Sequence, residues 1–445
     1  LATNGSARDT FHAGSISQID INADWRITPR VSYRTEDKNR VTESGAGAVF
    51  DDRNLSEEVQ GALGSDAWLS DNGRLRTTAY ATFYRDQYDS NQRGSDALDS
   101  YQDTRELLLQ GAVQYDHLFA ESHLATFGID ALTERMESDR LDKKEGDRRR
   151  IGLFAQDEWN LPTKNRLVLF PATRIDIDSQ FGTYTTPRFA MRYDPHQRVI
   201  LRTGYGWGYR APSFKELLLR FENPSAGYTV EGSPDLRPET SQNVNAGIDW
   251  NAADPIWVSL SGYRNEVQDL IGFGTLEDGI ANSPTRYGYI NIAEAITQGA
   301  ELSIEAAASY NTALLANYTL NDTLDVANDR PLEGRSLHRV SGQFNQRFPN
   351  SGTSFNIRAS WDGPKSYFRD IDADGVEETI ETDGDTLLDA RLGQEFEFER
   401  TAIQLFVGSA NILNDGDSEY LPLPPRTFYA GLTGRFATAS QPRTR

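Results

Sequence analysis

Along most of its length the chain alternates polar and apolar side chains with a period of two, not the 3.6 of a helix. Residues 75–84 read Leu-Arg-Thr-Thr-Ala-Tyr-Ala-Thr-Phe-Tyr, and 16–25, 123–131, 151–159, 198–207, 256–264, 354–361 and 426–436 behave alike. The pattern predicts an all-β chain. Charged residues sit inside these runs, among them Asp20, Asp24, Arg174, Asp176, Asp178, Arg202, Arg264 and Arg358. Two architectures share this alternation. A soluble sandwich turns one face of each strand to a core and the other to water. A membrane barrel turns one face to lipid and the other to a polar lumen. No run approaches 18 apolar residues, so a transmembrane helix is excluded.

The connections separate the two. Short turns near Thr28-Pro29, Asp71-Asn72-Gly73, 118–122, 162–165, 194–197, 251–255, Tyr310-Asn311, 349–352 and Glu399-Arg400 alternate with long polar segments. The latter fall near 38–55, 87–102, 137–147, 210–238, 269–285, 323–336, 368–386 and 412–424. Short turns on one rim and long loops on the other is the arrangement of outer-membrane barrels. About 19 strands are predicted, and the first and last run in the same direction. A closed antiparallel barrel needs an even number, so an odd number of strands is expected upstream of residue 1. Hydrophobic residues make up 38% of the 445, low for a globule of this size, which suits a polar inner face. Lys plus Arg number 45 against 66 Asp plus Glu, a net charge of −21, which argues against a nucleic-acid partner. Without cysteine there is no disulfide framework and no thiolate metal site.

The last predicted strand, 426–436, closes on Phe436 like the terminal strand of an outer-membrane protein, and a polar tail, 437–445, follows. Residues 204–217 read Gly-Tyr-Gly-Trp-Gly-Tyr-Arg-Ala-Pro-Ser-Phe-Lys-Glu-Leu, and 232–241 read Gly-Ser-Pro-Asp-Leu-Arg-Pro-Glu-Thr-Ser. This pair resembles the barrel of TonB-dependent outer-membrane receptors, with Ser233 where the family has Asn. Further blocks are 154–159, 178–182, 261–271, 297–301 and 410–414. Within the family the cobalamin receptors look most similar. The resemblance implies a 22-stranded antiparallel transmembrane β-barrel, here over 1–436 and lacking its plug domain and about three strands. It also implies a multi-pass protein of a Gram-negative outer membrane in contact with lipid and lipopolysaccharide. A small-molecule ligand would be taken up with the TonB–ExbB–ExbD system acting through the plug.

Candidate ligand-binding residues are Tyr209, Arg210, Phe214, Phe221 and Tyr228. Asp370, Asp372, Asp374 and Glu381 fit the calcium-loop pattern Asp-x-Asp-x-Asp-Gly-x5-Glu, without the flanking helices of an EF-hand. A second acidic loop offers Asp86, Asp89, Asp96 and Asp99, which the resemblance to cobalamin receptors implies as calcium ligands. Calcium is thus the expected cofactor, with a structural role. Residues 211–236 hold no histidine, which excludes haem ligation from that loop. The basic run Arg148, Arg149 and Arg150 is expected on a solvated or lipopolysaccharide-facing surface. No phosphate loop or zinc motif is present, and nothing suggests an enzyme. The expected function is uptake of a scarce nutrient such as cobalamin. Alternatives are a ferric-siderophore receptor, a structural barrel of a larger assembly, and a soluble all-β carbohydrate-binding protein or hydrolase.

Overall fold

The structure is a computed structural model that describes residues 7–44, 47–223, 228–277, 285–369, 377–398, 401–416 and 423–436. The strands are β1 (Ala7–Ile16), β2 (Ile19–Asn22), β3 (Trp25–Glu43), β4 (Val49–Ser70), β5 (Gly73–Gln92), β6 (Ser100–Phe119), β7 (His123–Ser138), β8 (Glu145–Leu161), β9 (Arg166–Asp178), β10 (Gly182–His196) and β11 (Val199–Arg210). One short helix, α1 (Phe214–Leu218), precedes β12 (Arg220–Asn223), β13 (Tyr228–Glu231), β14 (Glu239–Ala253), β15 (Ile256–Glu277), β16 (Thr285–Ser309) and β17 (Thr312–Asp325). Then come β18 (His338–Phe348), β19 (Thr353–Asp362), β20 (Lys365–Arg369), β21 (Glu378–Thr382), β22 (Asp385–Glu397), β23 (Thr401–Ala410) and β24 (Thr427–Phe436). β1 and β2 pair with the same partner and form one interrupted strand. With them counted once and the small hairpins β12–β13 and β20–β21 set aside, 19 long strands remain among the described residues, the predicted number.

Two compact units are distinguished. The first comprises residues 1–191, 205–242 and 267–293, and the second 192–204, 243–266 and 294–445. In the first, β3 to β9 pair consecutively and antiparallel. In the second, β16 to β19 and then β22 to β24 do the same.

Burial decides between the two architectures. In the first unit the apolar face is the exposed one: Val31, Leu63, Phe83, Leu109, Val113, Phe127 and Ile151 are all exposed. The other face buries Glu36, Asp52, Asp116, Asp130, Asp176 and Asp178. This inverts a soluble protein, and it holds only where the surrounding solvent is itself apolar. Aromatic residues collect beside the short turns: Trp25 and Trp68, Phe119, and Trp159 in the first unit, and Trp250 and Trp257, Tyr310 and Phe348 in the second. Such girdles mark a membrane–water interface.

Two expectations need correction. The Thr28-Pro29 turn does not exist, and the chain reverses at Ala23-Asp24 instead. Thr28 and Pro29 lie inside β3, facing the gap at Ser17-Gln18 that separates β1 from β2. Proline has no N–H to give that neighbour, so the ladder breaks there rather than in β3. The long polar segments at 38–55, 87–102 and 137–147 are shorter as loops than predicted. The register of β3 with β4 continues unbroken to Glu43↔Val49, and that of β4 with β5 to Phe50↔Gln92. Past the apolar band both faces are polar, so the strands keep pairing while the alternation fades.

The inversion predicts how substitutions on the exposed face behave. Val113→Arg, in the middle of the apolar stretch of β6, is expected to cost about 2–4 kcal/mol in urea unfolding from lipid vesicles. Arg105→Gln, above that stretch, is expected to stay within about 0.5 kcal/mol of the parent.

Candidate functional site

The segment after β11 is assembled by local rules. Ser213 caps α1: its Oγ accepts from the Glu216 N–H at 3.3 Å, and the Glu216 carboxylate accepts from the Ser213 N–H at 2.6 Å. This is a capping box, and Ser-Phe-Lys-Glu announces it in the sequence. Arg210 fastens the box to β14. Its guanidinium donates to both carboxylate oxygens of Glu239 at 2.8 Å and to both of Glu216 at 2.9 and 3.2 Å. Burial raises the Glu216 pKa, but the bonds from Arg210 and Ser213 outweigh it and hold the carboxyl below its ordinary range.

The other side of α1 is held by packing. Phe214 is buried with Met136 and Leu141, and the Arg148 guanidinium lies 5.4 Å over its ring. Arg148 also donates to the Pro212 carbonyl at 2.8 Å and to Glu134 at 2.9 Å. A Cβ on Gly146 would sit 2.6 Å from the Phe214 ring, so glycine is required for this approach. Main-chain bonds complete the seat: Ser233 N–H to the Glu216 carbonyl at 2.8 Å, Gly232 N–H to Leu219 at 2.6 Å and Asp142 N–H to Leu218 at 2.9 Å.

Beside α1 lies a cavity of about 460 Å³. Its wall includes Tyr84, Asp86, Glu106, Arg140, Lys215 and Phe221. Arg140 is held between two aromatic faces, 5.6 Å from the Tyr88 ring and 5.5 Å from that of Phe221. Its Nε also donates to Gln102. Asp86 accepts from Asn54 Nδ2 at 2.9 Å and from the Tyr84 hydroxyl at 3.2 Å. Phe221 meets Tyr228 at 6.3 Å, Tyr228 meets Tyr287 at 6.1 Å, and Phe273 lies 5.9 Å from Tyr287 and 5.3 Å from Tyr289.

A family model described as TonB dependent receptor-like, beta-barrel, matches residues 2–412. The chain belongs to this family. Its fold is therefore an antiparallel transmembrane β-barrel of the outer membrane, and the exposed apolar face is the lipid-facing one. The iron-regulated outer membrane virulence protein of Vibrio cholerae is 26% identical over 313 residues, 66% of this chain and 47% of that one. The vitamin B12 transporter BtuB of Vibrio vulnificus is 28% identical over 196 residues, 44% of this chain and 25% of the other. The chain thus spans about half the length, or less, of these relatives. Among solved structures, a mutant of the ferric enterobactin receptor PfeA of Pseudomonas aeruginosa matches with a TM-score of 0.77 and 14% identity, over 98% of this chain and 70% of that one. That likeness is one of fold.

Of the five residues singled out as ligand-binding, three are placed as scaffold in this receptor barrel. Tyr209 stacks on Tyr184 at 3.9 Å, Arg210 is saturated by two carboxylates, and Phe214 is core. Phe221 and Tyr228 belong to the aromatic cluster by the cavity. The acidic loop does not bring its aspartates together. Asp86 and Asp89 stand three apart on β5 and so point to opposite faces. Asp99 accepts from the Gln92 N–H at 2.7 Å, and the Asp96 carbonyl accepts from the Asp99 N–H at 3.3 Å. Among the described residues no three His, Asp or Glu are placed to share a metal ion. Asp370, Asp372 and Asp374 lie outside the described residues. Glu381 is exposed on β21 opposite Ser366, in a hairpin with β20. The basic run splits by period two: Arg148 turns inward to Glu134 and Arg150 to Asp176 at 3.7 Å, while Arg149 is exposed. Arg140, Lys215 and Glu239 escaped the sequence reading, since only the tertiary fold gives them partners.

The salt-bridged cap has a pH signature. A carboxylate with a lowered folded pKa contributes its full stability above its ordinary range and loses it as pH falls through the folded value. Amide-exchange protection of 213–219 is expected to fall between about pH 5 and pH 3 in the parent. Glu216→Gln should flatten that dependence, and Arg210→Ala should lower protection by about 1–2 kcal/mol at neutral pH.

Proposed function

We propose that the chain forms the barrel of a receptor that takes up a scarce nutrient across the outer membrane, and that the nutrient is an anionic ferric chelate of the siderophore class. The cavity beside α1 carries this reading. Arg140, fixed between Tyr88 and Phe221, presents a planar cation framed by aromatic faces, with Lys215 on the same wall. That set suits a ligand of flat, negatively charged rings, which stacks on the aromatics and accepts from the guanidinium. Asp86, on the same wall, already accepts from Asn54 and Tyr84. The iron-regulated relative supports the same class. In this reading the TonB–ExbB–ExbD system acts through a plug domain, and the family's transport receptors, which are not enzymes, leave the chain no catalytic role.

Cobalamin uptake with calcium-ordered loops is the second reading. The Asp370–Glu381 motif and the vitamin B12 transporters among the relatives favour it. Titration calorimetry on the full-length gene product separates the two, with a ferric catecholate complex and with cyanocobalamin, each with and without calcium. The ferric complex is expected to bind, and Arg140→Ala to weaken it about tenfold or more. Calcium-dependent binding of cyanocobalamin alone would move the assignment to cobalamin. Binding of neither would leave a structural barrel subunit.

A further inference from the structure

Arg140 owes its place in the cavity wall to groups that lie behind that wall. Its main chain is fixed on both sides: the N–H donates to Ser138 Oγ at 3.2 Å, and the carbonyl accepts from the Arg220 N–H at 2.6 Å. The side chain then spans the gap between Phe221, which lines the cavity, and Tyr88, which stands beyond it. Tyr88 is inward-facing on β5, with Asn54 of β4 opposite on one side and Gln102 of β6 opposite on the other. The next inward residue of β4 is Asp52, opposite Ser90.

Asp52 gathers the hydroxyls around it. Its Oδ1 accepts from the Tyr88 hydroxyl at 3.1 Å and from Ser90 Oγ at 2.6 Å. Its Oδ2 accepts from Thr42 Oγ1 at 2.9 Å and from Arg40 Nε at 3.2 Å. The residue is only 5% exposed, so its charge is desolvated, and these four donors offset that cost and keep it ionised. The Arg40 side chain is 55% exposed, and solvent screens its share of the pair. The Tyr88 phenol thus donates to a buried anion that does not itself line the cavity.

Two effects reach Arg140 from this bond. It fixes the hydroxyl end of Tyr88, and with it the plane of the ring. It also polarises the ring: an O–H given to a carboxylate pushes electron density into the phenol, and a ring face attracts a cation more strongly as that density rises. On the reading of the cavity as a site for an anionic ferric chelate, we propose that Asp52 is a positioning residue for Arg140. Through the Tyr88 hydroxyl it sets the plane and the electron density of the ring on which the guanidinium stacks, and so the direction in which Arg140 meets the ligand. Without that bond the guanidinium is ordered only when the ligand arrives, at a cost in affinity.

Titration calorimetry of the full-length gene product with a ferric catecholate complex tests this through double-mutant cycles. D52N is expected to weaken binding about three- to tenfold, and Y88F, which keeps the ring and removes the hydroxyl, by a similar factor. D52N/Y88F should bind no more weakly than either single variant. In an R140A background, D52N and Y88F should each leave the Kd within about twofold, because the guanidinium they act on is gone. A merely structural loss would persist there. Folding is checked by heat-modifiable electrophoretic migration. Should D52N fail to fold, Y88F alone and with R140A carries the test. Losses that multiply in D52N/Y88F, losses of undiminished size in the R140A background, or parent-like binding by folded D52N or Y88F would overturn the positioning role and leave the ferric-chelate reading standing. No binding by the parent would overturn that reading and the positioning role with it.

Discussion

Lipid offers no hydrogen bonds, so each backbone N–H and C=O that crosses it must find its partner on a neighbouring strand. The long unbroken registers result from this requirement, β3 against β4 over 19 residue pairs being one. With the backbone committed to the ladder, side chains have two directions open to them. One meets hydrocarbon and must be apolar; the other meets a polar interior and must be paired. Arg174 shows the second condition met. It donates to Asp130 at 2.6 and 3.0 Å and to Asp176 at 2.8 and 2.7 Å. Gly152, where a Cβ would collide with that guanidinium, leaves room for it. Half-buried Arg174 thus joins buried Asp176 on its own strand β9 to buried Asp130 on β7, across Gly152 of β8, and neither carboxylate is left to bear its desolvation alone.

The same logic explains why α1 needs a latch. A single helical turn has almost no intrinsic stability. It persists because Arg210 joins its capping box to β14, and because Phe214 fills the space left by Gly146. Residues that look like ligand contacts in the sequence are therefore occupied in holding the connection. The latch in turn positions the cavity wall: Lys215 projects into it from α1, and β12 begins two residues after the helix and brings Phe221 against Arg140.

Much of this was legible in the sequence, and the rest for definite reasons was not. Period two, the turn residues and the terminal strand sufficed for the class and for the number of long strands. The Thr28-Pro29 error came from reading proline as a turn, whereas the structure uses it where the neighbouring strand is interrupted. Strand extensions such as 87–92 read as loop in the sequence because polar residues on both faces erase the alternation. The acidic loop looked like one cluster because spacing along a chain does not record which face of a strand a residue takes. Asp86 and Asp89 are separated by that parity alone. Arg140 carries no local signal at all, since Tyr88 and Phe221 reach it from distant segments.

That contrast bears on where specificity resides. The recognisable motif residues sit where many backbone constraints meet, and changing one disturbs the seat of α1 whatever the ligand. The cavity residues are constrained by fewer partners. Arg140 rests on two rings and one amide, and Lys215 is held through the helix that carries it. Residues held this loosely can change without unseating the fold. A barrel of this kind thus keeps its architecture while its ligand chemistry shifts, and the ligand has to be argued from the cavity wall rather than from the motif.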